Sequence, residues 1–163
     1  MDKKMFCFQC EQTVGCAGCT GNAGVCGKKA DTARLQDELT GALIGLARAV
    51  DSTTAISKRT GQVIIEGLFT TVTNVNFDDA SIENMIQKVR AEKERLVPDC
   101  SKGQSPCGKT GEYDMQQLWN ANEDIRSLKS LILFGIRGMA AYAYHANICL
   151  LYTSDAADDR ISV

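Results

Sequence analysis

From Asp31 onward, apolar residues recur at three- and four-residue steps, the spacing of helices that bury one face. Leu35, Leu39, Ala42, Leu43, Leu46 and Val50 form a first stripe, with Asp31 as its expected N-cap. Gly41 and Gly45 weaken that helix, so a close neighbour is expected against them. A second helix is expected over 61–73, with Val63, Ile64, Leu68, Phe69 and Val72 inward. Its Val-Ile-Ile run would suit a strand, but no alternating partner segment exists. A third is expected to be capped near Asp78, to carry Ile82, Met85, Ile86, Val89 and Leu96, and to end at Pro98. Its Lys88, Arg90, Glu92, Lys93, Glu94 and Arg95 read as a solvated face. After a polar loop over 98–114 comes the longest helix, 122–150, with Ile125, Leu128, Ile132, Ile136, Met139, Ala143 and Ala146 as its stripe. Within it, 131–151 has the length of a membrane span, but Arg137, His145 and Asn147 point instead to a buried helix of a bundle. Four helices and no convincing strand predict an all-α fold, a helical bundle over residues 30–152. Residues 153–163 abandon the pattern and are expected to be a non-native or disordered tail.

Residues 1–29 form a separate unit without helical period. Cys7, Cys10, Cys16, Cys19 and Cys26 crowd it, and glycines stand at 15, 18, 21, 24 and 27. So short a stretch cannot bury enough apolar surface to fold unaided, so something must hold the thiols together. The glycines let the backbone turn tightly around whatever that is. A net charge of −2 with mixed signs gives no nucleic-acid footprint and no polybasic membrane patch. No apolar run follows the first basic residues, so no secretory signal is readable and a cytoplasmic location is expected. Stable disulfides are uncommon there, which favours metal or redox chemistry for clustered cysteines.

The spacing CxxC-x5-CxxC-x6-C limits the choice of metal. Zinc ribbons separate their knuckles by roughly 15 to 20 residues, whereas five lie between them here. A zinc-stabilised interaction module stays open as the weaker fit. The C-x2-C-x2-C-x3-C-P run of two-cluster ferredoxins is absent, and a thioredoxin-like dithiol lacks its βαβ context. What fits best is an iron–sulfur cluster on four thiolates with one cysteine spare. Phe6, Phe8, Val14 and Val25 are candidates to screen it from water. Lys28 and Lys29 lie where positive charge would ease the crowding of thiolates, although a solvated surface pair is the ordinary reading.

The segments MFCFQCEQT and AGVCGK, with LQDELTGALIGLA, FTTVTNVNFD and DIRSLKSLILFGIRGMAAYAYHA further on, resemble the hybrid-cluster proteins, also called hydroxylamine reductases or prismane proteins. The resemblance spans nearly all of residues 5–146. It implies that Cys7, Cys10, Cys19 and Cys26 ligate one iron–sulfur cluster, and that Cys16 is an addition. The CxxC-x8-C portion agrees with the [4Fe–4S] group of that family over the [2Fe–2S] group, although the last gap is one residue longer. It further implies electron delivery from a small redox donor, a ferredoxin-like protein or a reductase. The electrons would pass to a catalytic iron–sulfur–oxygen cluster that reduces hydroxylamine to ammonia, with nitric oxide as a further substrate. The ligands of that second cluster belong to later domains, so no catalytic residue is carried over and this chain alone is expected not to turn over. An autonomous electron-transfer module is the remaining alternative.

The other polar landmarks read as structural. His145 and Cys149 stand four apart on one helix, where a core histidine beside a buried thiol is the simpler account. Cys100 and Cys107 are expected to be a reduced pair in their loop, and Trp119, Tyr142 and Tyr144 to serve packing.

Overall fold

The computed structural model describes residues 5–10, 17–51, 56–72, 75–97 and 111–158, with side chains omitted at 51 and 150–158. Among these residues there are five helices and no strand. They are α1 (Ala30–Asp51), α2 (Lys58–Thr70), α3 (Asp79–Leu96), α4 (Met115–Trp119) and α5 (Glu123–Asp158).

The stripe read from α1 is the core. Leu35, Leu39, Ala42, Leu43, Leu46 and Val50 close on Val63 of α2 and on Ile82, Met85, Ile86 and Val89 of α3. Ile64, Leu68 and Leu96 cover its edge. Asp78 caps α3 as expected, its carboxylate accepting from the Ala80 N–H. The start of α2 moves: Ser57 caps it through the Thr60 N–H, so the helix occupies Lys58–Thr70 in place of 61–73. Asp31 is no cap. The Lys29 carbonyl already accepts from Ala33 at 3.0 Å, which puts Asp31 inside the first turn of α1. There its charge still favours the helix N-terminus.

Gly41 has the neighbour its presence demands. The Tyr113 N–H donates to the Gly41 carbonyl at 3.1 Å, and a methyl group at residue 41 would overlap the Tyr113 carbonyl oxygen. That contact fastens segment 111–114 and the short α4, absent from the four-helix expectation, across α1.

α5 differs most from the expectation. Ile125, Leu128, Ile132, Ile136 and Met139, read as its buried stripe, are exposed, with Met139 at 71%. The helix docks through another line of positions. Arg137 and Ala140 are buried, and Tyr144 stacks on Phe69 of α2 at 4.5 Å between ring centroids. Apolar residues lie all round this helix, so periodicity alone does not choose its face. Tyr142 is likewise exposed, and so are His145, which meets the Phe69 ring edge-on, and Cys149. The helix continues through 153–158, because no proline or glycine stands after Gly138 to stop it. Among the described residues, no helix is long and apolar enough to cross a membrane. Val14, Cys16, the Cys100 and Cys107 loop and residues 159–163 lie outside the described residues.

Candidate metal centre

The cysteine segment folds onto the start of α1 through two backbone devices. The first is an isolated antiparallel bridge between Cys7 and Cys19, with N–H to O distances of 3.1 and 2.7 Å. Gly18 makes it feasible: its φ is +82°, and a Cβ there would press on the Cys7 carbonyl and the Phe6 ring at 3.2 Å. Cys7 and Cys19 are therefore adjacent and buried, packed with Met5 and Ala33. The second device is a turn. The Gly27 N–H donates to the Gly24 carbonyl and the Gly24 N–H to the Lys28 carbonyl, both at 2.8 Å, with Gly27 at φ +83°. Cys26 sits within that turn, and a Cβ on Gly24 would come within 3.5 Å of its sulfur and 3.4 Å of Met5. Cys10, three residues beyond Cys7, is half-buried like Cys26. The contacts thus bring Cys7 and Cys19 together, place Cys26 by Met5 of the same cluster, and leave Cys10 at the rim.

Behind the thiols lies a charged network that the sequence reading did not assemble. Lys28, taken as half of a surface pair, is 2% exposed, while Lys29 is exposed as expected. The Lys28 ammonium donates to Gln9 Oε1 at 2.7 Å, and the Gln9 amide donates to Asp37 Oδ1 at 2.7 Å and the Ala33 carbonyl at 3.1 Å. From α5, Arg137 reaches in, donating to Thr71 at 3.1 Å and Thr40 at 3.0 Å, with its Nη1 buried and without a partner. Burial pushes the Asp37 carboxyl up to about 6, against its hydrogen bond from Gln9 and the charges of Arg137 and Lys28. Burial also lowers the Arg137 guanidinium to about 10. The Cys7 thiol is pushed up by burial, with the Gln9 backbone N–H and Lys28 pulling the other way.

Sequence signals for these residues existed. Arg137 is the one Lys, Arg, Asp or Glu within 130–154, and Gln9 stands between the first two cysteines. Asp37 carried no signal, since it stands among Asp31, Arg34 and Glu38 in the charged first turns of α1.

Trp119 serves packing, as expected. Phe6 and Phe8 pack on Trp119 at 5.2 and 4.9 Å between centroids, and Arg126 lies over the same indole at 4.6 Å. They join the cysteine segment to α4 and the start of α5. Val25 is exposed and screens nothing.

This donor set fits an iron–sulfur cluster in its chemistry: soft thiols, two of them buried, on glycine turns with cationic groups close by. Among the described residues, no three His, Cys, Asp or Glu side chains group closely enough to hold a single metal ion.

Fold and thiols together define a helical protein with a cysteine-rich leading segment. The Prismane/CO dehydrogenase family matches residues 5–159, and the chain belongs to that family. It is 39% identical to a hydroxylamine reductase of Clostridium perfringens (strain 13 / Type A) over 163 aligned residues, 87% of this chain and 30% of that protein. A hydroxylamine reductase of Methanococcus vannielii is 38% identical over 88% of this chain and 30% of its own length. One from Desulfovibrio desulfuricans is 37% identical over 91% and 30% respectively. The chain spans about 30% of the length of the relatives it matches.

Proposed function

We propose that Cys7, Cys10, Cys19 and Cys26 hold an iron–sulfur cluster, a [4Fe–4S] cube, and that this chain is the electron-relay portion of a hydroxylamine reductase. The observation that carries the reading is the Cys7–Cys19 bridge with the Cys26 turn beside it, in a chain of the prismane family. When bound, the cluster supplies one-electron transfer between a small redox donor and the catalytic iron–sulfur–oxygen cluster of the whole protein. The chain's own contribution is placement and environment. The Gly18 and Gly27 turns aim the thiols, Met5 and Ala33 exclude water from Cys7 and Cys19, and the Lys28–Gln9 pair supplies positive charge. Reduction of hydroxylamine or nitric oxide belongs in this reading to domains beyond this chain.

The test is iron and acid-labile sulfide in the anaerobically purified chain. Both should be present with a broad visible absorbance, and Cys7→Ser or Cys10→Ser should abolish all three signals. Unchanged iron and sulfide in those variants overturns the assignment. Zinc without sulfide would identify a structural module instead.

A further inference from the structure

Two cations are enclosed behind the thiols, with the half-buried Asp37 beside them. Lys28 is 2% and Arg137 3% exposed, and Asp37 reaches Lys28 only through the Gln9 amide. Among the described residues, no carboxylate lies within ion-pairing distance of Lys28. Asp78 and Asp79 face the groove of about 360 Å³ that Lys28 also lines. However, Asp78 caps α3 and Asp79 accepts from Thr32 at 2.6 Å. Asp114, the other acid near Asp37, is exposed and caps α4. The ring of Phe77 lies 5.9 Å from the Lys28 nitrogen, too weak a contact to balance a buried ammonium.

An ammonium so enclosed, with a neutral amide as acceptor, costs stability unless a negative group comes to it. Among the described residues, the groups that can do so are the thiolates of the cysteine segment: a Cβ on Gly24 would lie 3.5 Å from both the Cys26 sulfur and the Lys28 Cβ, and the Lys28 charge acts on Cys7. We propose that Lys28 is the built-in counter-charge of the cluster, a positioning residue that Gln9 orients and that holds the cluster's reduction potential up. This deepens the cluster assignment above and rests on it. A fixed positive charge stabilises the reduced, more negative cluster more than the oxidised one, and local charge and hydrogen bonding are known levers on such potentials. The same charge costs stability when the cluster is gone, because among the described residues it is then left with the neutral Gln9 amide and, through it, Asp37.

Two measurements on Lys28→Met follow, with Lys28→Arg and Lys29→Met beside it. In the cluster-loaded chain, potentiometric titration followed by EPR should show Lys28→Met with a reduction equilibrium constant at least tenfold lower, about 59 mV for a one-electron couple. Lys28→Arg should recover most of that shift, and the exposed Lys29→Met should show little of it. In the cluster-free chain, Lys28→Met should melt at a higher temperature than wild type. A loaded Lys28→Met chain with an unshifted potential overturns the inference and leaves the cluster assignment standing. So does a cluster-free Lys28→Met that melts lower than wild type. If Lys28→Met takes up no cluster, Lys28→Arg decides: uptake at the wild-type potential supports a requirement for charge, and failure of both overturns it. A wild-type chain without iron and sulfide overturns the assignment and the inference together.

Discussion

Glu92 stands among Lys88, Arg90, Lys93, Glu94 and Arg95, yet it is 1% exposed where its neighbours on the outer face are not. Its carboxylate accepts from Thr60 at 2.7 Å and from Arg95 at 2.6 and 3.1 Å, and Arg59 lies 3.1 Å away. The sequence held a clue, because Met85, Val89, Glu92 and Leu96 follow one another at helical steps and put Glu92 on the apolar stripe. Hydrogen bonds from Arg95 lead in holding this carboxyl down, from the ordinary 4.5 to about 2. Its stabilisation is therefore complete above pH 4.5 and is lost as pH falls toward 2. Asp37 works the other way. With its carboxyl raised from 3.8 to about 6, the folded chain keeps a proton that the unfolded chain has released, so stability falls as pH rises through that window. Denaturant titrations of the cluster-free chain at a series of pH values should separate the two. Glu92→Gln should flatten the loss below pH 4.5 and cost about 1–3 kcal/mol at neutral pH, where donors lose a charged acceptor. Asp37→Asn should flatten the fall between pH 4 and 6. An acid limb in Glu92→Gln as steep as that of wild type would remove Glu92 as its source.

At the scale of elements, two helical glycines make contrasting contacts. Gly41 meets backbone, the Tyr113 carbonyl, whereas a Cβ on Gly67 would meet the far end of the Leu43 side chain at 2.7 Å. A leucine tip can rotate away; a carbonyl held by its own chain has to move the segment that carries α4. Gly41→Ala should thus lose about 1–3 kcal/mol to overpacking, despite the gain of roughly 1 kcal/mol in helix propensity. Gly67→Ala should stay within about 1 kcal/mol of wild type. Thermal melts of both variants check this, and equal losses would show that the nature of the neighbour does not matter. The pair also marks what the sequence makes legible. A glycine inside a good helix announces a close approach, because nothing else offsets its cost, but Tyr113 as the partner is fixed only by the tertiary fold. The stripes of α1 and α3 were readable because polar residues bound them on both sides. α5 has no such boundary, and the face that docks, with Arg137 and Ala140, is the less apolar one. The five leading cysteines stood out through density, and the choice of four among them came from the family resemblance, whereas Lys28 required the turn at Gly24–Gly27 to bring it inward.

At the scale of the whole molecule, the three-helix core closes without α5, and α5 is left with an apolar face outward. Ile125, Leu128, Ile132, Ile136 and Met139 follow at three- and four-residue steps along it, with Leu128 62% and Ile132 64% exposed. Ile132 and Ile136 also line an apolar groove of about 310 Å³ with Ile44, Tyr113, Met115 and Leu118. A continuous exposed stripe of this kind exceeds the scattered apolar residues ordinary on protein surfaces, and its removal from water is worth about 25 cal/mol for each Å² covered. The chain on its own should therefore self-associate through α5 as concentration rises and bind an apolar dye. Leu128→Lys with Met139→Lys should suppress both, placing a charge near each end of the stripe. Because these two side chains are largely free of packing, the double variant should melt within a few degrees of wild type. Sedimentation velocity over a hundredfold concentration range is the measurement. A wild-type chain that stays monomeric throughout would show that the stripe is too weak to associate, and a double variant that unfolds would show that it supports the core after all.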